Sequence, residues 1–301
     1  MKITRAVCGG VILVWLVFAG SFVVGAERSE IERNAFFGDT HIHTRYSFDA
    51  FMFNVRTTPD DAYRYAKGEP IDHPAGMSIR IEGAPLDFLM VSDHAKYLGV
   101  FAAQIEPGAP FYGHPDAQDL VPKDSPLHRT ISLLRKLDAE EPEFMGPKVW
   151  EYAWQKIIDA AESHNDPGKF TTFIGYEYTP TPGNRHLHRN VVFKGSKVPV
   201  RLFSSGDSED PEDLWDWLDD LRLKGIEGLA IPHNMNQSDG LAFQEITFEG
   251  GPLDKDYSEI SFTMGLVAND NQTNLFLNEN FSIFSPSNCK ILAVMLLLFL
   301  S

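Results

Sequence analysis

Along this chain, short apolar runs that predict buried strands are separated by segments with helical spacing of apolar residues. The predicted strands cover 36–41, 86–91, 170–178, 190–193 and 228–231. The predicted helices cover 58–68, 127–140, 149–163 and 211–224. Strands that alternate with helices predict an α/β, barrel-like fold, in which the binding site lies at the carboxyl ends of the strands.

Polar residues cluster where the predicted strands end. The clusters are Asp39-Thr40-His41-Ile42-His43, Ser92-Asp93-His94, Tyr176-Glu177 with His186 and His188, and Pro232-His233-Asn234. In an extended strand, residues two apart point to the same face, so His41 and His43 can bind one ion together. The clusters predict a metal site assembled from several strands, and the near absence of cysteine favours a hydrolase site over a structural zinc site.

The first two clusters also have a plainer interpretation. On its own, the His-x-His pattern is explained about equally well by chance histidines on a half-exposed strand. Asp39 beside the pattern and Asp49 after it favour metal, because a metal site needs carboxylates that orient imidazoles and bridge ions. His94 alone would be explained better as a loop histidine, but it follows a buried strand with Asp93 next to it, as in the first cluster.

The later clusters add a carboxylate and three histidines. Glu177 lies in an otherwise apolar strand, where an unpaired carboxylate is costly, so the sequence predicts a cation partner, either arginine or metal. His186 and His188 share one face if their segment is extended, and His188 is preferred as the ligand because it directly precedes the strand 190–193. His233 follows Pro232, which ends its strand and fixes the direction of the histidine.

The composition excludes one class of partner and constrains another. The chain has 301 residues, of which 43% are hydrophobic, enough for one domain with a sizeable core. A net charge of -16 argues against nucleic-acid binding, which needs a basic surface. A small anionic substrate would need a local positive field, and bound divalent cations can supply it.

The ends of the chain differ from its middle. Residues 1–26 combine a charged start, an apolar run and small residues before a cleavage point, which predicts a signal peptide. The mature protein is then expected to be periplasmic or secreted, without a stable membrane span; a retained anchor is the alternative. Residues 27–257 are predicted to form the domain, with a surface insertion near the site at 97–126. Residues 258–301 lose the strand–helix alternation and are predicted to be an atypical tail foreign to the fold; a buried strand or helix, or an exposed apolar end, are the alternatives for its final apolar run.

In this order, the clusters resemble the polymerase and histidinol phosphatase (PHP) superfamily of metal-dependent phosphoesterases. The matching motifs are Asp-x-His-x-His-Thr at 39–44, Ser-Asp-His at 92–94, Gly-Tyr-Glu at 175–177, the single His188, and Pro-His-Asn at 232–234. The resemblance covers roughly residues 36–256. Longer stretches, such as the one that continues from His188 to Phe193, look most like a large secreted branch that is catalogued as a domain of unknown function.

The resemblance implies a fold, a cofactor and a ligand set. The fold would be a distorted (β/α)7 barrel, and the cofactor would be two or three divalent ions, Zn, Mn or Fe. Glu177 would bridge two of the ions. The residues that match the ligands of the family are His41, His43, Asp49, His94, Glu177, His188 and His233, with His186 kept as the alternative to His188.

The implied activity is hydrolysis of a small anionic phosphoester by a metal-activated water. The predicted catalytic residues are Glu177, Arg189 and Arg45. The two arginines lie next to ligand motifs, where a guanidinium can hold a phosphate, as can Lys96 and Arg185. Each of these cations taken singly is also explained as an ordinary surface charge.

The resemblance is incomplete towards the C-terminus. PHP proteins complete their site with a late Asp-x-His motif, and none follows His233 in this sequence. The barrel is therefore expected to be incomplete and to lack at least one metal position. Two alternatives stay open: a non-catalytic remnant with weak metal binding, and an amidohydrolase-like barrel that acts on amides or lactones. The Ser-Asp-His cluster favours the PHP interpretation over the second.

Overall fold

The computed structural model describes residues 35–114, 145–244, 246–248 and 250–252. Contacts divide the chain into two units at Asn34, and every described residue belongs to the second unit. The predicted signal peptide, the predicted helix 127–140 and the predicted tail 258–301 lie outside the described residues. In the described part of the chain, no helix is long and apolar enough to cross a membrane.

The strands form one main sheet and one small hairpin. In chain order they are β1 (Gly38–Ile42), β2 (Ile71–Asp72), β3 (Ser78–Ile79), β4 (Phe88–Val91), β5 (Thr171–Tyr178), β6 (Arg189–Phe193) and β7 (Gly228–Pro232). The five-stranded sheet has the order β1-β4-β5-β6-β7, and β2 pairs with β3. The β1, β4 and β5 strands are parallel, whereas β6 is antiparallel to both β5 and β7. Four of the five strands therefore point the same way, and their carboxyl ends share one edge.

The helices begin and end with local signals that the sequence carries. They are α1 (Phe48–Met52), α2 (Pro59–Ala66), α3 (Ala102–Ile105), α4 (Pro147–His164) and α5 (Pro211–Leu223). Thr58 and Asp61 form a reciprocal capping box at the start of α2, and a proline occupies the first turn of α2, α4 and α5. The predictions for 58–68, 149–163 and 211–224 are thus confirmed, which confirms the α/β class.

The first part of the predicted surface insertion is not at the surface. Leu98, Val100 and Phe101 are buried in the main core, and α3 follows them directly. The backbone reaches this position through Gly99, which has a φ of 74° and donates to the carbonyl oxygen of Tyr46. The prediction of a surface insertion at 97–126 is therefore wrong for 98–104, where a short apolar run is buried, whereas several residues of 105–114 are exposed.

The two faces of the sheet have different roles. The outer face packs on helices through large buried side chains, which include Trp154 of α4 against Tyr176 and Phe193. On the inner face, a Cβ added to Gly175 would lie 2.2 Å from the sulfur of Met90, so only glycine fits there. Glu177 lies on the same inner face as Gly175, two residues further along β5.

The sheet curls strongly at its carboxyl end. In the described residues it is open, with β1 and β7 as its two edges. In a flat sheet these strands would be roughly 19 Å apart, since neighbouring strands are about 4.8 Å apart. The rings of His41, in β1, and His233, directly after β7, are nevertheless only 4.2 Å apart between centroids. Nδ2 of Asn190 in β6 also donates a hydrogen bond to the carbonyl oxygen of Thr40 in β1, at 2.9 Å.

Candidate metal centre

Glu177 is the centre of a cluster of imidazoles. It lies near the end of β5 and its side chain is 1% exposed. One carboxylate oxygen, Oε2, is 3.0 Å from Nε2 of His41 and 2.9 Å from Nε2 of His43. The pairing of β1 with β4 is irregular between Asp39 and Ile42, a stretch that contains His41 and directly precedes His43. Such bulges redirect side chains next to functional sites, and here they bring both imidazoles to one oxygen.

The other carboxylate oxygen, Oε1, faces three histidines from three different segments. It is 2.9 Å from Nδ1 of His188, 3.3 Å from Nδ1 of His94 and 3.4 Å from Nε2 of His233. His94 follows β4 and forms a bridge with Glu177 in the extended ladder, while the backbone N–H of His233 donates to the carbonyl oxygen of His188. The parallel and antiparallel pairings together therefore bring these imidazoles to one carboxylate.

Asp49 provides a second carboxylate on one side of the cluster. It lies in α1, with Oδ2 3.2 Å from Nδ1 of His43 and 3.4 Å from Nε2 of His94. Three sets of side chains have potential ligand atoms within 4.8 Å of one another, so each can hold a metal ion. The sets are His41, His43 and Glu177; His43, Asp49 and His94; and Glu177, His188 and His233.

The electrostatics of the cluster favour ionised carboxylates and two neutral imidazoles. Burial opposes ionisation of Glu177, but the histidines around it outweigh that cost and hold its pKa well below the usual range. Burial lowers the pKa of both His188 and His233. The pKa of His43 is raised, because Asp49 and Glu177 outweigh the effect of its burial. Anionic carboxylates beside neutral imidazoles are the donor set that divalent transition metals bind.

Buried nitrogen atoms without hydrogen-bond partners show that the donor set fits a metal. Both ring nitrogens of His233 are buried; within the described residues Nδ1 has no hydrogen-bond partner, and Nε2 has only the 3.4 Å contact with Oε1 of Glu177, which does not meet hydrogen-bond geometry. Buried polar atoms are almost always satisfied in folded proteins, so each exception needs an explanation. A metal bound by Nε2 of His233 and shared with Glu177 explains this one, and the pairing of nitrogen and carboxylate donors is the chemistry that such ions use.

Residues around the ligands hold them in place. The hydroxyl of Ser47 donates to Asp49 at 2.6 Å, lies 3.3 Å from Nδ1 of His43 and accepts from the backbone N–H of His94. Asp93 accepts the hydroxyl of Thr44, at 2.6 Å, and its backbone N–H; burial raises the pKa of this carboxyl to about 6. These contacts orient the loop between His43 and Asp49, as the outer partners of metal ligands do.

Three of the predicted site residues lie elsewhere. His186 contacts His188 with its ring tilted by 34° and the ring centroids 4.6 Å apart, and it belongs to none of the three sets. Arg45 pairs with Glu106 at 2.8 Å. Arg189 lies beside Tyr178 in the ladder, on the sheet face opposite Glu177, where it donates to the carbonyl oxygen of Leu187. Burial lowers the pKa of Arg189 to about 10.

Local backbone geometry and local contacts explain why these predicted residues lie outside the ligand sets. Strand residues alternate between faces, so Arg189 must point outward if His188 and Asn190 point inward. Arg45 lies in the loop after His43, close to a carboxylate that has other hydrogen-bond donors. Asp39, predicted to flank the ligands, accepts the backbone N–H of His41 at 2.7 Å and is outside the three sets.

The sequence analysis did not single out Ser47 or Asn190. Ser47 lies two residues before Asp49 and is fully buried; its spacing from the first cluster is the only signal in the sequence. Asn190 has a clearer signal, because it is a polar residue within an apolar strand and pairs directly with Glu177. Its Oδ1 is buried and has no hydrogen-bond partner among the described residues.

Comparison with protein families identifies the family of this chain. The family described as Protein of unknown function (DUF3604) matches residues 30–268. The match spans most of the chain and includes every residue of the metal centre, so the protein belongs to this family. Neither the comparison with curated proteins nor the comparison with solved structures gave a match.

Proposed function

We propose that this protein is a metal-dependent hydrolase of the PHP type that cleaves phosphoesters. The observation that carries the proposal is the arrangement around Glu177: a single buried carboxylate with imidazoles at both oxygens. A carboxylate shared in this way suits two ions that it bridges. Structural metal sites are closed and rich in cysteine, whereas this one consists of histidine and carboxylate and belongs to hydrolytic chemistry.

Glu177 and Asp49 would have different roles in the reaction. Divalent ions, when bound, lower the pKa of a water ligand so that it serves as a nucleophile near neutral pH. Glu177 would hold the two ion positions at a fixed separation, since each of its oxygens faces a different set of imidazoles. Asp49 would orient His43 and His94 and supply negative charge that strengthens their donor nitrogens.

The curl of the sheet supports the finer fold proposal. Closing a sheet into a barrel requires its strands to tilt and its edges to approach each other. The ring contact between His41 and His233, and the bond from Asn190 to Thr40, join strands that are far apart in the sheet order. We therefore propose that the described strands are part of a distorted barrel whose mouth is the metal centre.

The charge distribution supports an anionic substrate that is bound through the ions. Arg45 and Arg189, which the sequence offered as phosphate ligands, are both engaged away from the cluster. The positive field at the site would therefore come from the divalent cations, which also polarise the oxygens of a phosphoryl group. A phosphoester binds such ions directly and needs no arginine from this chain.

Metal analysis tests the first part of the proposal. The purified full chain would be stripped, reconstituted separately with zinc and manganese, and measured by elemental analysis. We expect at least one equivalent of transition metal per chain. A smaller amount after reconstitution would rule out the metal centre.

Substrate assays test the second part. The reconstituted protein would be assayed with chromogenic phosphomonoesters and phosphodiesters, alongside an amide and a lactone, with Glu177→Gln as the inactive control. We expect phosphoester hydrolysis that depends on added metal. Turnover of the amide or lactone alone would indicate the amidohydrolase-like class, and metal binding without any turnover would indicate a non-catalytic remnant.

A further inference from the structure

Asn190 has one satisfied end and one unsatisfied end. The residue is 4% exposed, and its Nδ2 donates to the carbonyl oxygen of Thr40 at 2.9 Å. A carbonyl oxygen can only accept, so this bond fixes which end of the carboxamide faces β1. The Oδ1 atom is therefore the free end, and within the described residues it is buried without a hydrogen-bond partner.

One ring nitrogen of His233 also lacks a hydrogen-bond partner. Its Nδ1 is buried and lacks a hydrogen-bond partner within the described part of the chain. Asn190 pairs with Ile231 across the antiparallel β6 and β7 strands, and His233 follows two residues later on the same inner face. Diagonal neighbours of this kind are about 7–8 Å apart at their backbones. Their polar tips are then within the span of one bridging water.

One buried water can satisfy both Oδ1 of Asn190 and Nδ1 of His233. A histidine that binds metal through one nitrogen donates its other N–H to an acceptor, and that acceptor sets the tautomer and the direction of the ring. If Nε2 of His233 faces the metal and Glu177, Nδ1 must carry the proton and needs an acceptor. A buried water that accepts from Nδ1 and donates to Oδ1 of Asn190 satisfies both groups.

We propose that Asn190 is a positioning residue of the metal centre: its Oδ1 holds His233 through one buried water, while its Nδ2 holds the strand that delivers His41. The proposal rests on the proposed function, in that His233 is taken as a metal ligand through Nε2. It explains how two imidazoles from opposite edges of the sheet are held 4.2 Å apart between ring centroids.

Two substitutions separate the two ends of the carboxamide. Asn190→Leu keeps the approximate size of the side chain and removes both polar ends. Asn190→Asp keeps an acceptor for the water and removes the donor to Thr40. Val192→Ala is the matched control, because Val192 lies on the same face of β6, is buried and has no polar side-chain atom.

The first measurement is zinc affinity, determined by competition with a chromophoric chelator. For Asn190→Leu we expect a loss of about 10- to 100-fold, the range found when outer partners of metal ligands are removed. Asn190→Asp is expected to lose less, and Val192→Ala to stay close to wild type. An Asn190→Leu protein with wild-type affinity would overturn the proposal. If that variant does not fold, Asn190→Asp decides: an affinity no weaker than that of Val192→Ala would be the contrary result.

The second measurement uses the zinc-loaded protein, because in metal-free protein Nε2 of His233, 3.4 Å from the carboxylate of Glu177, would carry the proton itself. Nitrogen–proton correlation spectra of the imidazoles, assigned with a His233→Gln variant, report which nitrogen of His233 carries the proton. We expect a protected Nδ1–H signal in wild type and in Asn190→Asp, and its loss in Asn190→Leu. An unchanged signal in Asn190→Leu would contradict the role of Asn190. Wild-type protein that binds no zinc would refute the proposed function and this proposal with it, whereas zinc-loaded protein with an unchanged signal in Asn190→Leu would refute the role of Asn190 alone.

Discussion

Two glutamates in this molecule each gather a cluster of partners, and the clusters differ in what they leave unsatisfied. Glu106 receives the guanidinium of Arg45 at 2.8 Å and the hydroxyls of Tyr46 and Tyr152 at 2.8 and 3.0 Å. Every partner is a donor or a cation, so the charge of the carboxylate is balanced within the protein. Both oxygens of Glu106 thus have partners, although among the described residues Nε of Arg45 is buried without a hydrogen-bond partner.

Glu177 is more deeply buried and has a different kind of partner. Imidazoles surround it, and burial lowers the pKa of two of them, so they favour the neutral form. These two neutral imidazoles add little positive charge beside the carboxylate, and Nδ1 of His233 is buried without a hydrogen-bond partner among the described residues. The two carboxylates therefore differ in kind: Glu106 is balanced by a cation and two hydroxyl donors of the protein, whereas Glu177 is surrounded by nitrogen atoms that a metal ion could bind.

The same substitution at each glutamate gives the strongest test of this difference. Glu177→Gln removes the charge that is shared between two potential metal sets, and we expect it to weaken zinc binding by more than about 100-fold, beyond the range for outer partners. Glu106→Gln should leave the affinity unchanged. Chelator competition measures both, and equal effects at the two positions would remove the distinction between the clusters.

Ser47 tests whether the ligands depend on their supporting hydroxyls. Ser47→Ala deletes the bond to Asp49 and the contact with His43, so we expect zinc affinity to fall by about 10-fold or more. Ser92→Ala is the matched control, because Ser92 is equally buried but its hydroxyl contacts the carbonyl oxygen of Ile42. Similar affinities for the two variants would show that Ser47 does not position the ligands.

The Glu106 cluster is expected to affect stability alone. Glu106→Gln weakens a charged pair and two hydrogen bonds, and we expect a loss of about 2 kcal/mol in the free energy of unfolding, within the range for hydrogen bonds to charged groups. Denaturant unfolding of the metal-free protein measures it. A loss of metal binding together with normal stability would be the opposite of what this cluster predicts.

The smallest expected effect is a pH dependence of the Glu106 cluster. Burial and the neighbouring Glu106 raise the pKa of Tyr152 from 10.0 to about 12. The folded protein then holds this proton more tightly than the unfolded chain, so the stabilisation is complete below pH 10 and is lost as the pH rises towards about 12. Unfolding at pH 9 and pH 11 should show a steeper decline for wild type than for Tyr152→Phe. Parallel declines would show that Tyr152 contributes nothing.

Much of the fold could be predicted, because the signals for α2, α4 and α5 are local. Proline in the first turn marks where each begins, and α2 and α5 also have a side-chain cap directly before it. The curl of the sheet could not be predicted, because it arises from pairings between distant strands. The core position of Leu98 and Val100 was missed for the same kind of reason, since it depends on packing rather than on periodicity.

The metal centre, like the fold, could be predicted only in part. The imidazoles of His41, His43 and His94 lie together because strand ends share one edge, which the sequence pattern predicts. The sheet faces of Arg189 and Asn190 were not predicted, because proximity to a ligand in sequence does not reveal the face of the strand. Counting alternate residues from His188 would have placed Asn190 inside and Arg189 outside.

The distribution of the ligands along the chain has a consequence for biosynthesis. One potential set, His43, Asp49 and His94, is complete soon after β4 has been made, whereas the set that includes His233 requires β7. Contacts between such distant segments form late, because the chain must close a long loop before they contribute any energy. A nascent chain would then bind a first ion at the early set and a second ion only after β7 has docked. The number of ions bound per chain would therefore show how far folding has advanced.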